Sequence, residues 1–175
     1  NGTVIITATA VDKNIVSDNK EIAISSFNQG PTYDYTVSTT DELYTALVNV
    51  SAGETIFLNG GDYILTSRIS ISSSGTSGNE ITLPGQTDGT RAKLDFSAMS
   101  ENSSNRGLSL SGDYWHIKGL DVFGAGDNGM FISGNHNLIE FCTFSENSDT
   151  GLQIGNGGSN NTILNCDSFF NADSS

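Results

Sequence analysis

Gly107, Gly129 and Gly151 stand 22 residues apart, and each opens a segment written to the same plan. GLSLSGDYWHIKGLDVFGAGDN (107–128) aligns with GMFISGNHNLIEFCTFSENSDT (129–150), and then with GLQIGNGGSNNTILNCDSFFNADS (151–174), whose GNGGSNN turn carries two extra residues. Two less regular turns upstream, ETIFLNGGDYILTSRISIS and NEITLPGQTDGTRAKLDF, fit the same plan. Every unit consists of short apolar runs broken by Gly, Asn, Asp and Ser, with no room for a helix. A period of this length built from strands alone is the mark of a solenoid whose turns stack about 4.8 Å apart.

Stacking turns aligned positions into ladders. Leu108, Met130 and Leu152 are expected to face inward as one column, Leu110, Ile132 and Ile154 as a second, and Ile117, Ile139 and Ile163 as a third. Leu120, Cys142 and Cys166 make a fourth, in which the cysteines act as small buried hydrophobes rather than as metal ligands or disulfide partners. Asn147 and Asn171 align at a bend, where stacked amides satisfy one another and the turn backbone. Asp127, Asp149 and Asp173 align at the turn ahead of each coil. Asp favours turns by bonding its own backbone, although three carboxylates a rung apart are also candidates to share a cation.

A solenoid end exposes an apolar rung and needs a cap. Residues 39–50 supply one: Thr39 or Thr40 as N-cap, Asp41 and Glu42 in the first turn, and Leu43, Ala46, Leu47 and Val50 at helical spacing. Further upstream, TVIITATA and KEIAIS alternate as the two strands of a hairpin. That stretch resembles the last two strands of a bacterial immunoglobulin-like domain. The organisation expected is therefore residues 1–27 as a partial immunoglobulin-like hairpin, 28–37 as linker, and 38–175 as the N-terminal part of a β-helix of about five coils. The fold class is all-β.

The wording of the coils is itself recognisable. AGETIFLNGGDYILTSRISISSSGTSGNEITL (52–83), NRGLSLSGDYWHIKGL, NSDTGLQI and NNTILNCDS together resemble polysaccharide lyase family 9, the pectate-lyase-like right-handed parallel β-helices. The resemblance implies a secreted or cell-surface bacterial protein that cleaves pectate by calcium-assisted β-elimination. Charge withdrawn from the uronate carboxylate by a cation makes the C5 proton removable by a basic side chain. By the same resemblance, Asp167 in NCDS matches the first calcium-binding aspartate, with Asp121 and Thr143 at the equivalent places in the preceding coils. The lysine base and the remaining ligands are expected beyond Ser175, so the chain is expected to be inactive by itself.

With 20 acidic and 7 basic residues and a net charge of −13, the surface repels phosphate backbones, which argues against nucleic acid as a partner. No apolar stretch is long enough to span a bilayer. An acidic polysaccharide needs local cations, and Lys118 and Arg106, both in the regular coils, are the candidate substrate contacts. His116 and His136 read as surface or turn residues, and of Tyr114 and Trp115 one is expected to pack. The rival to a lyase is a non-catalytic fibre or adhesive protein assembling through the strand edges of residues 3–25. A carbohydrate-binding module is a third reading.

Overall fold

The computed structural model describes residues 31–172. The hairpin and strand edges expected within residues 1–27, and Asp173, lie outside them. Strand β1 (Tyr35–Val37) and helix α1 (Thr40–Asn49) precede the coils. The first coil contains β2 (Ile56–Leu58), β3 (Gly61–Ile64) and β4 (Ile69–Ile71), and the second β5 (Ile81–Pro84), β6 (Ala92–Asp95) and β7 (Leu108–Leu110). The third holds β8 (Trp115–Lys118), β9 (Leu120–Phe123) and β10 (Met130–Ile132), and the fourth β11 (Leu138–Glu140), β12 (Thr143–Ser145) and β13 (Leu152–Ile154). A fifth contributes β14 (Thr162–Leu164) and β15 (Asp167–Phe169).

Each of the first four coils therefore visits three parallel sheets. Sheet I is β5-β8-β11-β14, extended by the β1–β2 pair through bridges Thr55–Thr82 and Leu58–Gly85. Sheet II is β3-β6-β9-β12-β15 and sheet III is β4-β7-β10-β13. The expected ladders are the observed register: Leu108–Met130–Leu152, Leu110–Ile132–Ile154 and Ile117–Ile139–Ile163. Leu108, Leu110, Ile117, Met130, Ile132 and Ile139 are buried, whereas Leu152 is partly buried and Ile154 and Ile163 are 43% and 40% exposed, with no further rung over them among the described residues.

The opposite end is closed by α1. Thr39 is the N-cap: its hydroxyl accepts from Glu42 N, and the Glu42 carboxylate accepts in return from Thr39 N and Ser38 N. This reciprocal pairing fixes where the helix starts. Leu43, Ala46, Leu47 and Val50 are all buried in one cluster with Ile56, Leu58 and Tyr63 of the first coil, and Thr40 Oγ1 donates to Ile64 O. Part of the stretch expected to be linker is strand: Tyr35–Val37 pairs in parallel with Ile56–Leu58 and buries Val37 beneath the helix stripe.

The corners repeat as strictly as the strands. Tyr114, His136 and Asn160 have positive φ ahead of sheet I. Gly119, Phe141 and Asn165 have it between sheets I and II, and Gly124, Glu146 and Phe170 have it after sheet II. In each of these coils three left-handed residues, five positions apart, turn the chain into sheet I, on to sheet II and out of it. For the Tyr, Phe and Glu residues this conformation costs on the order of 1–3 kcal/mol each, carried by the hydrogen bonds to neighbouring rungs.

Two asparagine ladders line the inside of these corners. Asn147 Oδ1 accepts from Ala125 N, while its own N–H and amide donate to Asn171 Oδ1. A second ladder begins under Trp115, whose N–H donates to Asn137 Oδ1; Asn137 N donates to Asn161 Oδ1, and Asn161 Nδ2 to Gly134 O. Each amide meets a backbone group left over by a turn, so that no buried side-chain polar atom among the described residues lacks a partner. Both cysteines are free; Cys142 is 2% exposed, and its thiol is pushed up by its hydrogen bond to Cys166 and by burial.

Candidate functional site

Alternation along sheet II sends every second residue outward, which makes two columns. The first runs Asp62, Lys93, Asp121, Thr143, Asp167, and the second Ile64, Asp95, Phe123, Ser145, Phe169. At the helix-capped end this face is held by ion pairs. Lys93 Nζ lies 3.3 Å from Asp62 and 3.2 Å from Asp95, over the ring of Phe123. Burial alone would push the Asp95 carboxyl up, but the Ser97 hydroxyl and N–H and the Lys93 ammonium outweigh it and hold the group below its ordinary value. Arg91 Nε donates to Asp121 Oδ1 at 2.7 Å, and its guanidinium also donates to Phe141 O, tying the loop after β5 to the next two coils.

Asp167 therefore stands on an outward column at the far end of sheet II, exposed, one rung from Thr143 and two from Asp121. Its carboxylate has no hydrogen-bond partner among the described residues, unlike Asp121, which Arg91 occupies. Calcium takes 6–8 oxygens. One free carboxylate beside a threonine does not make up such a site, and the described residues contain no group of three or more His, Cys, Asp or Glu placed to hold a metal ion.

The remaining candidates fall elsewhere. Asp127 and Asp149 do line one hollow of about 320 Å³, with Glu101 and Asn102, but each is engaged: Asp127 with Arg106 at 3.3 Å, and Asp149 with Asn128 Nδ2 at 2.9 Å. Arg106 is further held over the Phe131 ring, 3.7 Å from its centroid. It is a clamp on the outside of sheet III, away from the Asp167 column. Lys118 lies on sheet I, 3.6 Å from Glu140 and over the Phe141 ring.

Sequence reasoning missed two partnerships. His116 Nε2 lies 2.9 Å from Glu140 Oε2, and the His136 ring stacks on Tyr114. A signal was present for the second, since the aligned units set Tyr114 over His136, whereas Glu140 falls over Lys118 and meets His116 only on the diagonal. Of the adjacent aromatics, Trp115 packs, fully buried with Nε1 donating to Ser73 O, and Tyr114 stays outside.

Comparison with known proteins agrees with this architecture. The chain is 44% identical over 142 residues to pectate lyase L of Paenibacillus polymyxa (strain SC2), covering 75% of this chain and 31% of that protein. It is 35% identical over 157 residues to pectate lyase L of Dickeya chrysanthemi, covering 85% and 36%. The chain thus spans about a third of the length of these curated relatives. The crystal structure of pectate lyase Pel9A superposes with a TM-score of 0.69 at 29% identity, over 82% of this chain and 42% of that one. An alginate lyase from Paenibacillus sp. str. FPU-7 gives 0.67 at 27% identity, over 75% and 43%. Residues 25–175 match the family model described as the Pel9A-like, right-handed β-helix region, and the chain belongs to that family.

Proposed function

We propose that the protein is a secreted polysaccharide lyase acting on pectate by calcium-dependent β-elimination, with its chemistry on the outer face of sheet II. The reading rests on the family match, which runs through the strand bearing Asp167. The position of that residue supports it: an exposed, uncommitted carboxylate on a flat parallel face, next to a surface already organised by Arg91 and Lys93. In such a reaction a base takes the C5 proton of a uronate, the bond from C4 to the glycosidic oxygen breaks, and the new chain end carries a double bond. The described coils supply one carboxylate toward a cation and no free lysine on the same face, since Lys93 is occupied by Asp62 and Asp95. The 175-residue chain alone is accordingly expected to be inactive.

The structural likeness to an alginate lyase favours a second reading of the substrate, since alginate is also a polyuronate. Both are tested by incubating the whole protein with polygalacturonate and with alginate, each with calcium or with a chelator. Rising ultraviolet absorbance on polygalacturonate with calcium, abolished by the chelator, is the expected result. A rise on alginate alone would move the substrate, and no rise on either would remove the lyase reading.

A further inference from the structure

We propose that the outer face of sheet I carries a second glycan-binding site, for short uronate oligosaccharides, distinct from the Asp167 face of sheet II. Register places two outward columns there: Thr55, Thr82 and His116, and beside them Phe57, Pro84 and Lys118. They floor a hollow of about 520 Å³ walled on one side by residues 85–88, with Gln86 pinned to Gly60 N and to Asp88 O.

The hollow is graded in chemistry. At one end Tyr33 and Phe57 stack with ring centroids 4.3 Å apart and planes 4° from parallel, and Pro84 continues this apolar strip by one rung. Flat apolar rings with a polar edge suit the C–H face of a pyranose. In the middle the Thr55 and Thr82 hydroxyls, 2.7 Å apart, leave lone pairs and a proton for sugar hydroxyls. At the other end Lys118 is 44% exposed and engages Glu140 at only 3.6 Å, leaving ammonium protons for a carboxylate. His116 shares the same Glu140 oxygen at 2.9 Å, so one acid steadies two bases. From Phe57 to Lys118 is two rungs, roughly 10 Å at the spacing of parallel strands, enough for a short oligosaccharide.

Lys118 is distinctive among the five basic side chains of the described coils. Arg91, Lys93 and Arg106 are held at 3.3 Å or less by aspartates. Arg68 is exposed and lines none of the hollows described above. Asp88 at the rim and Glu140 beneath offset the cations, so the affinity is expected to be modest and salt-sensitive. The choice of a uronate rests on the proposed function; the site itself rests on the geometry of sheet I.

The test is calorimetric titration of the protein with trigalacturonate in the presence of a chelator, against Lys118→Ala, Phe57→Leu and Asp167→Asn. Binding that survives the chelator, weakens tenfold or more in the first two variants and is unchanged in the third is the expected result. Thermal melts matching the unsubstituted protein show that weakening is not misfolding. Absence of binding in chelator, or weakening by Asp167→Asn alone, would overturn the second site. Equal affinity for a neutral galactose trimer would overturn its assignment to uronates. Lyase activity without chelator-insensitive binding removes only this site, and binding without lyase activity removes only the proposed reaction.

Discussion

Replacing Trp115 with alanine is expected to lower the stability of the β-helix by about 3–5 kcal/mol, the range for deleting a large buried aromatic. Trp115 is 0% exposed, is the largest fully buried side chain, and fills the inside of the third coil at the corner entering sheet I. Its indole N–H donates to Ser73 O at 2.7 Å, across to the end of the first coil, and its backbone N–H is taken by Asn137. One residue thus connects the first, third and fourth coils. Alanine opens a cavity and leaves the Ser73 carbonyl without its donor. Trp115→Phe keeps much of the volume and loses the hydrogen bond, and is expected to cost about 1–2 kcal/mol. Urea denaturation followed by far-ultraviolet circular dichroism measures both; a loss under 1 kcal/mol for the alanine variant would contradict the packing described.

Gly134→Ala is expected to be nearly as damaging for the opposite reason. Gly134 has no unusual φ among the glycines, so its need is space rather than conformational freedom. A Cβ there would collide with the carbonyl oxygen of Gly112 on the rung below, and one on Gly112 would collide in turn with that of Ser73. These are backbone atoms and cannot rotate aside, so the coils themselves would have to separate. A cost of about 3 kcal/mol, at the upper end of the overpacking range, is expected. Gly78→Ala is the control, since Gly78 has φ +82° with open space around its Cα. It should lose only about 1 kcal/mol, from backbone strain. Equal melting temperatures for the two variants would contradict the account of how closely the rungs approach.

How much of this was legible in the sequence follows from which interactions are periodic. The inward columns, the cysteine column and the Asn147–Asn171 ladder were readable because the same residue type recurs one unit later. The helix start was readable to within one residue, Thr39 or Thr40, from a threonine ahead of an acidic first turn, and the reciprocal Thr39–Glu42 pairing decides between them. The second asparagine ladder was hidden because the two extra residues of the GNGGSNN turn fall just ahead of Asn161 and blur its register with Asn137. The left-handed corners were hidden wherever Tyr114, Phe141, Glu146 or Phe170 stands in place of glycine, since the hydrogen bonds of adjacent rungs override local preference. Strand β1 was hidden because three residues pairing with a sequence some twenty positions away leave no alternation to detect.

The candidate site was legible to a lesser degree. Asp167 was found by its motif, and the structure adds its place on an outward column and its lack of a partner. The commitments of Arg91, Arg106, Asp127 and Asp149 to one another's neighbours depend on side-chain reach across 21 to 30 residues. No spacing rule shows that. Acidic residues that align in sequence are therefore poor guides to a metal until the cations facing them are known; Asp127 and Asp149 share a hollow, yet each is already satisfied.

In the proposed function the outer face of sheet II, at Asp167, carries the chemistry. The direct measurement is the rate at which the whole protein releases unsaturated ends from polygalacturonate in calcium, compared with its Asp167→Asn variant at equal thermal stability. Loss of a calcium ligand is expected to lower kcat/KM at least 100-fold, with higher calcium restoring part of it, an effect of about 2.7 kcal/mol or more on the transition state. An Asp167→Asn variant as active as the unsubstituted protein, with the same calcium dependence, would contradict it.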